Sequence, residues 1–380
     1  MAGLAWIDFD QADRDRTRRI IDLFDEKDTR DELGLGAVRD ALSDLLFPGT
    51  STIQTRLRYM LFVPWVYRIA AQERSGRAPA ERARALEINL IRALETGGES
   101  NGVIGSVARE GLKRLPSDVY WAGLFTLGIR RLPGGRSAYL EARDPTPLWA
   151  ANLPAPQEGF LTQTSFRLRG EEADFLRDRL RLSVPGTLFD ELAQAHDVAQ
   201  TETIWSHPGR EGFSAQNRAI VKQAERFSAL MHGAALLYNL LLAERAQALH
   251  GATAGDGGAR VDDYRHRLEA WRAGLDPQLL ADWDLDVLWE LSGCTIHRVS
   301  VLTRQFVEDW RNLVQQGATE GGGSSDARQL IATRERRLKG AKARLSNDAA
   351  LARWGGASGT QPLTFRWREA RMHLKDLADA

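Results

Sequence analysis

One long apolar segment constrains the fold of this chain more than any other feature. Residues 214–248 have the composition of a single helix, and residues 227–242 within it are apolar almost all round. A helix that is hydrophobic on every side must be covered by protein on every side. The segment therefore predicts the central helix of a multi-helix bundle in a mainly α fold. Its most apolar run, residues 236–242, is far shorter than the ~20 residues that span a bilayer, so we expect no membrane association.

The charge balance limits the classes of partner. Lys and Arg together number 51, and so do Asp and Glu. A neutral chain is not expected to coat nucleic acid indiscriminately, although a local basic patch remains compatible with this balance. Residues 1–6 lack the basic region and long apolar run of a signal peptide. We therefore expect a cytoplasmic protein.

Turn residues and composition divide the chain into four parts. The N-terminal helical region covers residues 1–78, a winged-helix subdomain covers 79–141, and a helical bundle covers 142–316. A basic C-terminal segment, residues 326–380, follows a glycine-rich tether. In the second part, three helices at 79–95, 103–112 and 116–128 precede a β-hairpin that turns at Pro133–Gly135. Three helices followed by a hairpin is the order of a winged helix, a motif of DNA-binding proteins.

The third helix of that subdomain limits its interpretation. It carries Val119, Tyr120, Trp121 and Leu124 but almost no side chains that donate to base edges. A winged helix that packs against protein therefore stays an alternative to one that binds DNA. If it binds DNA, the candidate contacts on its wing are Arg130, Arg131 and Arg136.

The C-terminal segment is the most basic part of the chain. Residues 327–371 contain eleven basic residues against three acidic ones, with Trp354, Phe365 and Trp367 among them. Such a mixture can hold phosphates and stack on bases. If residues 327–345 form one helix, however, its charges surround the helix, so an acidic partner protein and a solvated surface remain alternatives. The candidate nucleic-acid-binding residues here are Arg334, Arg336, Arg337, Lys339, Lys342 and Arg344.

The sequence contains no catalytic motif that names a reaction, and we expect neither a metal nor another cofactor. The single cysteine, Cys294, cannot form an internal disulfide or a cysteine-based zinc site. Active sites assemble in space, so an enzyme built from dispersed residues remains the alternative. That alternative is a metal-dependent nuclease with carboxylates from Asp8, Asp10, Asp40 and Asp44.

Several blocks spread along the chain resemble one bacterial family. They are residues 6–9, 40–51, 55–59, 62–65, 120–124, 337–340 and 343–345. The chain resembles domain of unknown function family 6361, and the stretch from Phe47 to Trp65 is quite specific to it. The resemblance implies a place in phage-defence gene clusters, beside helicases and phospholipase-D-like nucleases. It carries no catalytic residues to this sequence.

These observations together predict a non-catalytic subunit of a bacterial anti-phage defence system. We expect it to bind a helicase or a phospholipase-D-like nuclease, and DNA as a further candidate partner. A purely structural scaffold is the remaining alternative.

Overall fold

The computed structural model describes residues 31–72, 78–142, 144, 146–195, 198–250 and 257–380. Over these residues the chain forms fifteen α-helices and no β-strand, and its only β-type pairing is an isolated antiparallel bridge between Arg130 and Trp149. The prediction of a mainly α fold is confirmed.

The helices are numbered here in chain order. The first seven are α1 Gly36–Leu46, α2 Tyr59–Gln72, α3 Pro79–Thr96, α4 Pro116–Thr126, α5 Arg136–Glu141, α6 Gly170–Ser183 and α7 Leu188–Gln194. The remaining eight are α8 Ala215–His250, α9 Gly257–Gly274, α10 Pro277–Ala281, α11 Leu285–Gly293, α12 Val301–Gln315, α13 Ser325–Lys339, α14 Asp348–Leu351 and α15 Trp367–Ala378.

The chain divides into two compact units. The first unit contains residues 1–41 and 224–363, and the second contains residues 42–223 and 364–380. The four-part domain division drawn from the sequence stays a prediction.

The first unit is built around the apolar part of α8, which the sequence predicted as the central helix of a bundle. Leu237 and Leu240 are fully buried. Two tryptophans from other helices donate their indole N–H groups to backbone carbonyls of α8: Trp310 to Leu230 at 2.9 Å and Trp271 to Ala229 at 2.8 Å. Tryptophan combines a large apolar area with one donor, so each residue both fills the core and fixes a position along α8.

The glycine-rich segment after α12 packs within the first unit. Thr319 is 2% exposed, and Glu320 pairs with Arg272 of α9 at 2.7 Å. A Cβ on Gly323 would lie 3.1 Å from Leu237 of α8, so the backbone passes close to the core helix there. Gly323 also has φ +89°, a conformation that other residues rarely adopt. The glycines therefore permit a tight, packed turn before α13.

The second unit has a core rich in aromatic residues around α2, although α2 contains Pro64. Tyr59 and Phe62 of this helix contact Phe166, with ring centroids 5.4 and 6.4 Å apart. Arg58, just before the helix, forms a buried ion pair with Glu172 of α6 at 2.9 Å. Buried charges require such pairing because desolvation is costly.

The winged helix and its β-hairpin are not confirmed. Residues 104–108 are turn and Arg109–Gly111 form a short 3-10 helix where an α-helix was predicted, and the segment proposed as the second hairpin strand is instead helix α5. Tyr139 explains the difference: its hydroxyl bonds both the N–H and the carbonyl of Leu132, and its ring packs edge-on against Trp121 and Trp149. Burial of this ring in an aromatic cluster overrides the local turn-and-strand pattern.

One helix in the described part of the chain passes a length-and-composition test for crossing a membrane. It spans Ala215–Leu249, and 72% of its most apolar window is buried inside the protein. A core helix of a soluble protein passes the same test. The expectation of no membrane association therefore stays a prediction.

Candidate functional site

Arg334 was a candidate for nucleic-acid binding, and the structure places it inside the first unit. Its guanidinium donates to the carbonyls of Leu33 at 2.8 Å, Gly34 at 3.1 Å and Leu302 at 3.2 Å, and to Thr303 Oγ1 at 2.9 Å. The residue is 5% exposed, and burial lowers the pKa of its guanidinium. Arg334 thus joins α12, α13 and the segment before α1, and its donors face protein acceptors.

Lys339 and Arg344 belong to a buried polar cluster with Glu32, Glu335 and Tyr238. Lys339 Nζ pairs with Glu32, and Arg344 reaches the other Glu32 oxygen at 2.6 Å. Glu335 accepts from the Tyr238 hydroxyl at 2.6 Å and from the Arg344 N–H at 2.9 Å. Burial raises the pKa of Tyr238, and the Glu335 carboxylate raises it further. The cluster neutralises its own charges within the protein.

A small cavity of about 90 Å³ adjoins this cluster. His232 borders it and lies 3.2 Å from the Thr360 carbonyl through Nε2. Burial lowers the pKa of His232, and the charge of Arg267 lowers it further, so both favour the neutral ring. The space is large enough to admit water, which needs only about 10–15 Å³ by this measure.

Three other predicted residues are exposed. Arg336 and Arg337 lie in the last turn of α13, and Lys342 lies in the short 3-10 turn that follows. The predicted helix over 327–345 stops at Lys339 because Gly340 adopts φ +53° and ends it. Of the six candidate nucleic-acid-binding residues of the basic segment, these three are therefore the exposed ones.

Of the three candidates on the predicted wing, only Arg131 is exposed. Arg130 is 6% exposed, lies over the rings of Trp121 and Phe125, and donates to the Leu132 carbonyl at 2.9 Å. Arg136 is half-buried and pairs with Asp118 at 2.7 Å. These contacts stabilise the fold of the second unit by cation–π and ion-pair interactions.

The pair α12 and α13 carries an exposed surface that sequence reasoning missed. Arg334, near the end of α13, bonds Leu302 and Thr303 at the start of α12, so the two helices run antiparallel. At this end Val301, Leu302 and Leu338 are 77%, 56% and 43% exposed. A groove of about 490 Å³ lies further along the two helices, lined by the second half of α12 and by residues of α13 that include Leu330. None of the three exposed apolar residues lines this groove. We call the three apolar residues Val301, Leu302 and Leu338 the α12–α13 surface.

The comparisons with known proteins give a family and no function. The profile of the family of unknown function DUF6361 matches residues 1–380. The chain belongs to this family. No curated protein and no solved structure matched the DUF6361 chain.

The carboxylates of the nuclease alternative are only partly described in the DUF6361 protein. Asp8 and Asp10 lie outside the described residues. Asp40 accepts from Arg39 at 3.0 Å, and Asp44 pairs with Arg366. Within the part of the chain that the structure describes, no three His, Cys, Asp or Glu residues group as metal ligands would. The nuclease stays an untested alternative.

The signals that would have identified this site are weak in the DUF6361 sequence. Arg334 lies three residues after Ile331 and four before Leu338, so helical periodicity alone puts it on the apolar face of α13. Val301 and Leu302 follow the N-cap Ser300, whose hydroxyl accepts from Thr303 N–H. An apolar pair in a first helical turn is usually buried, and the sequence gives no sign that this pair is exposed.

Proposed function

We propose that this protein is a non-catalytic, cytoplasmic subunit of a bacterial anti-phage defence system, and that it binds a partner protein through the α12–α13 surface. The observation that carries the proposal is the group of exposed apolar side chains Val301, Leu302 and Leu338 beside exposed cations. A single exposed leucine means little, whereas grouped apolar exposure marks interaction surfaces. The phage-defence context comes from the family resemblance.

The contacts of Arg334 support treating the three apolar residues as one group. The Arg334 guanidinium donates a hydrogen bond to the Leu302 carbonyl. Arg334 and Leu338 both lie close to Gly34, since a Cβ added to Gly34 would lie 2.8 Å from Arg334 and 2.9 Å from Leu338. Leu302 and Leu338 thus flank one fixed guanidinium. A preorganised apolar group loses little conformational entropy when a partner covers it.

The charges beside this group favour one class of occupant. Arg336 and Arg337 occupy the same end of α13 as Leu338, and both are exposed. We propose as occupant an apolar segment of the partner, flanked by carboxylates that pair with these arginines. Such pairs at the rim guide orientation and association rate, while the buried apolar contact supplies most of the affinity. The partner is a helicase or a phospholipase-D-like nuclease of the same system.

The test is affinity for purified candidate partners encoded beside the gene. The double variant Leu302→Glu/Leu338→Glu is expected to weaken binding at least about thirtyfold, since each leucine contributes upward of ~1 kcal/mol when buried. The matched control is Val107→Glu, because Val107 is 97% exposed and belongs to the second unit. The control is expected to bind within about twofold of the wild type.

Two results would contradict the docking proposal. One is equal affinity of the double variant and the wild type for a partner that does bind. The other is equal loss of affinity in both variants, which would indicate a general response to an added surface charge.

A second candidate function, DNA binding, is favoured by the exposure of Arg336, Arg337 and Lys342. Three phosphate contacts would give the logarithm of the binding constant a slope of about −2.7 against the logarithm of salt concentration. We expect the triple alanine variant to lose this salt dependence, and Arg167→Ala to keep it. Arg167 is an exposed arginine without a partner among the residues described. DNA binding that survives the triple change would exclude this surface as the site.

A further inference from the structure

The second unit contains a polar cavity that the docking proposal does not use. Its volume is about 390 Å³, within the size range of small-molecule sites. Its walls come from three segments: residues 52–56, the turn Asn101–Gly102, and the beginning of α15 with Arg368, Glu369 and Met372. Side chains distant in sequence therefore converge on one space.

The first wall is held rigidly by hydrogen bonds. The Tyr120 hydroxyl accepts from the N–H groups of Thr55 at 2.9 Å and Arg56 at 3.1 Å, and donates to the Arg56 carbonyl at 2.8 Å. Thr55 Oγ1 donates to the Gly102 carbonyl at 2.7 Å, which ties the loop to the turn opposite. A preorganised wall lowers the entropy cost of binding.

The charges around the cavity are unevenly compensated. Arg56 pairs with the buried Asp376 at 2.7 Å. Arg368 is exposed and Glu369 is half-buried. Burial raises the pKa of Glu369, while a hydrogen bond from its own backbone N–H and the charges of Arg368 and Arg366 act in the opposite direction without cancelling the effect of burial. The cavity thus presents one cation and one anion side by side, and the carboxylate would gain from a further cationic contact.

The backbone before these two residues is strained. Phe365 has φ +51° and Arg366 has φ +62°, two consecutive non-glycine residues in the left-handed region. Each costs of order 1 kcal/mol, and such conformations cluster at ligand sites. The Arg366 guanidinium is anchored to the Thr50 carbonyl at 3.0 Å, which fixes the direction in which α15 begins.

We propose that this cavity binds a small zwitterion of the amino-acid class, with its carboxylate at Arg368 and its ammonium group at Glu369. The charge pattern selects a ligand that carries both signs. None of the described residues that line the cavity is aromatic, so a nucleobase has no ring to stack on. The proposal does not depend on the α12–α13 surface.

The experiment uses the full-length protein and each of the twenty standard amino acids at millimolar concentration. A thermal-shift screen identifies any that stabilise the protein, and calorimetric titration measures their affinity. We expect Arg368→Ala and Glu369→Gln each to weaken binding at least about tenfold, since each removes one charged hydrogen bond. Arg353→Ala, an exposed arginine of the first unit, is the matched control and is expected to bind normally.

Inorganic phosphate and adenosine monophosphate serve as competing probes. The proposal is overturned if no amino acid binds to the folded protein, or if both cavity variants bind as the wild type does. It is also overturned if phosphate or the nucleotide binds in the cavity in place of an amino acid. Met372→Trp keeps both charges and fills the space, so we expect it to abolish binding. The unliganded variant should still show the cooperative thermal unfolding transition of a folded protein.

Discussion

Replacing Arg334 with alanine separates a structural role from a binding role. Four acceptors each lose one hydrogen bond from a charged donor: the carbonyls of Leu33, Gly34 and Leu302, and Thr303 Oγ1, which keeps its contact with Ser300 Oγ at 3.0 Å. A hydrogen bond from a charged group contributes about 1.5–3 kcal/mol, and water entering the vacated space reduces each loss to about 1 kcal/mol. We therefore expect a loss of about 4 kcal/mol in the free energy of unfolding of the first unit.

Urea unfolding followed by tryptophan fluorescence measures this loss. With a slope of about 2 kcal/mol per molar urea, the midpoint of the first unit should fall by roughly 2 M. Arg336→Ala is the control, since its exposed side chain has no partner among the residues described, and a surface change of this kind shifts stability by less than about 0.5 kcal/mol. Wild-type stability of Arg334→Ala, together with weakened DNA binding, would refute the structural assignment of Arg334.

Three further changes test the interior. Burial raises the pKa of Glu87, which accepts from Ser117, to about 7. The protonated carboxyl therefore stabilises the folded protein fully below about pH 4.3, and this stabilisation is lost as pH rises through 7. Urea titrations at pH 5 and 8 should show that Glu87→Gln removes up to ~3 kcal/mol of this fall in the free energy of unfolding. Gly233→Ala places a Cβ 2.2 Å from the Trp271 ring, and thermal melts should show a loss of about 3 kcal/mol. Burial lowers the pKa of His373 to about 3, and neither ring nitrogen has a hydrogen-bond partner among the described residues. The His373→Leu variant should therefore have a higher urea midpoint of unfolding than the wild type, with the largest difference at pH 5.

Each of these predictions has a distinct contradiction. If the stability of Glu87→Gln fell between pH 5 and 8 as steeply as that of the wild type, the Glu87 carboxyl would not be the source of this pH dependence. An unchanged melting temperature for Gly233→Ala would mean that the indole moves aside at little cost. For His373→Leu, lower stability at pH 5 would indicate that the imidazole has a partner after all.

The sequence predicts the helical framework well because its strongest signal comes from local periodicity. The central part of α8 is apolar on all sides, and that pattern is sufficient to place it in a core. The hairpin could not be excluded locally, because Pro133–Gly135 suits a turn before either a strand or a helix. The helix is favoured because Tyr139 packs between Trp121 and Trp149, and this tertiary contact cannot be read from the local sequence.

The candidate site was less predictable, since charge alone does not tell which side chains face solvent. Arg344 approaches Glu32 because Gly340 ends α13 and turns the chain back, and neither the turn nor the distant carboxylate follows from local pattern. Arg336 and Lys342 belong to the same basic run and remain exposed. Long-range ion pairs thus divide a uniform basic segment into structural and solvent-facing cations.

Hydrogen–deuterium exchange of the complex with its partner tests the central claim most directly. We predict that partner binding protects the amides of α12 and α13 most strongly, above all near Leu302 and Leu338. Exchange around Val107 in the second unit should not change. Protection confined to other segments, with α12 and α13 exchanging as in the free protein, would contradict the proposed docking surface.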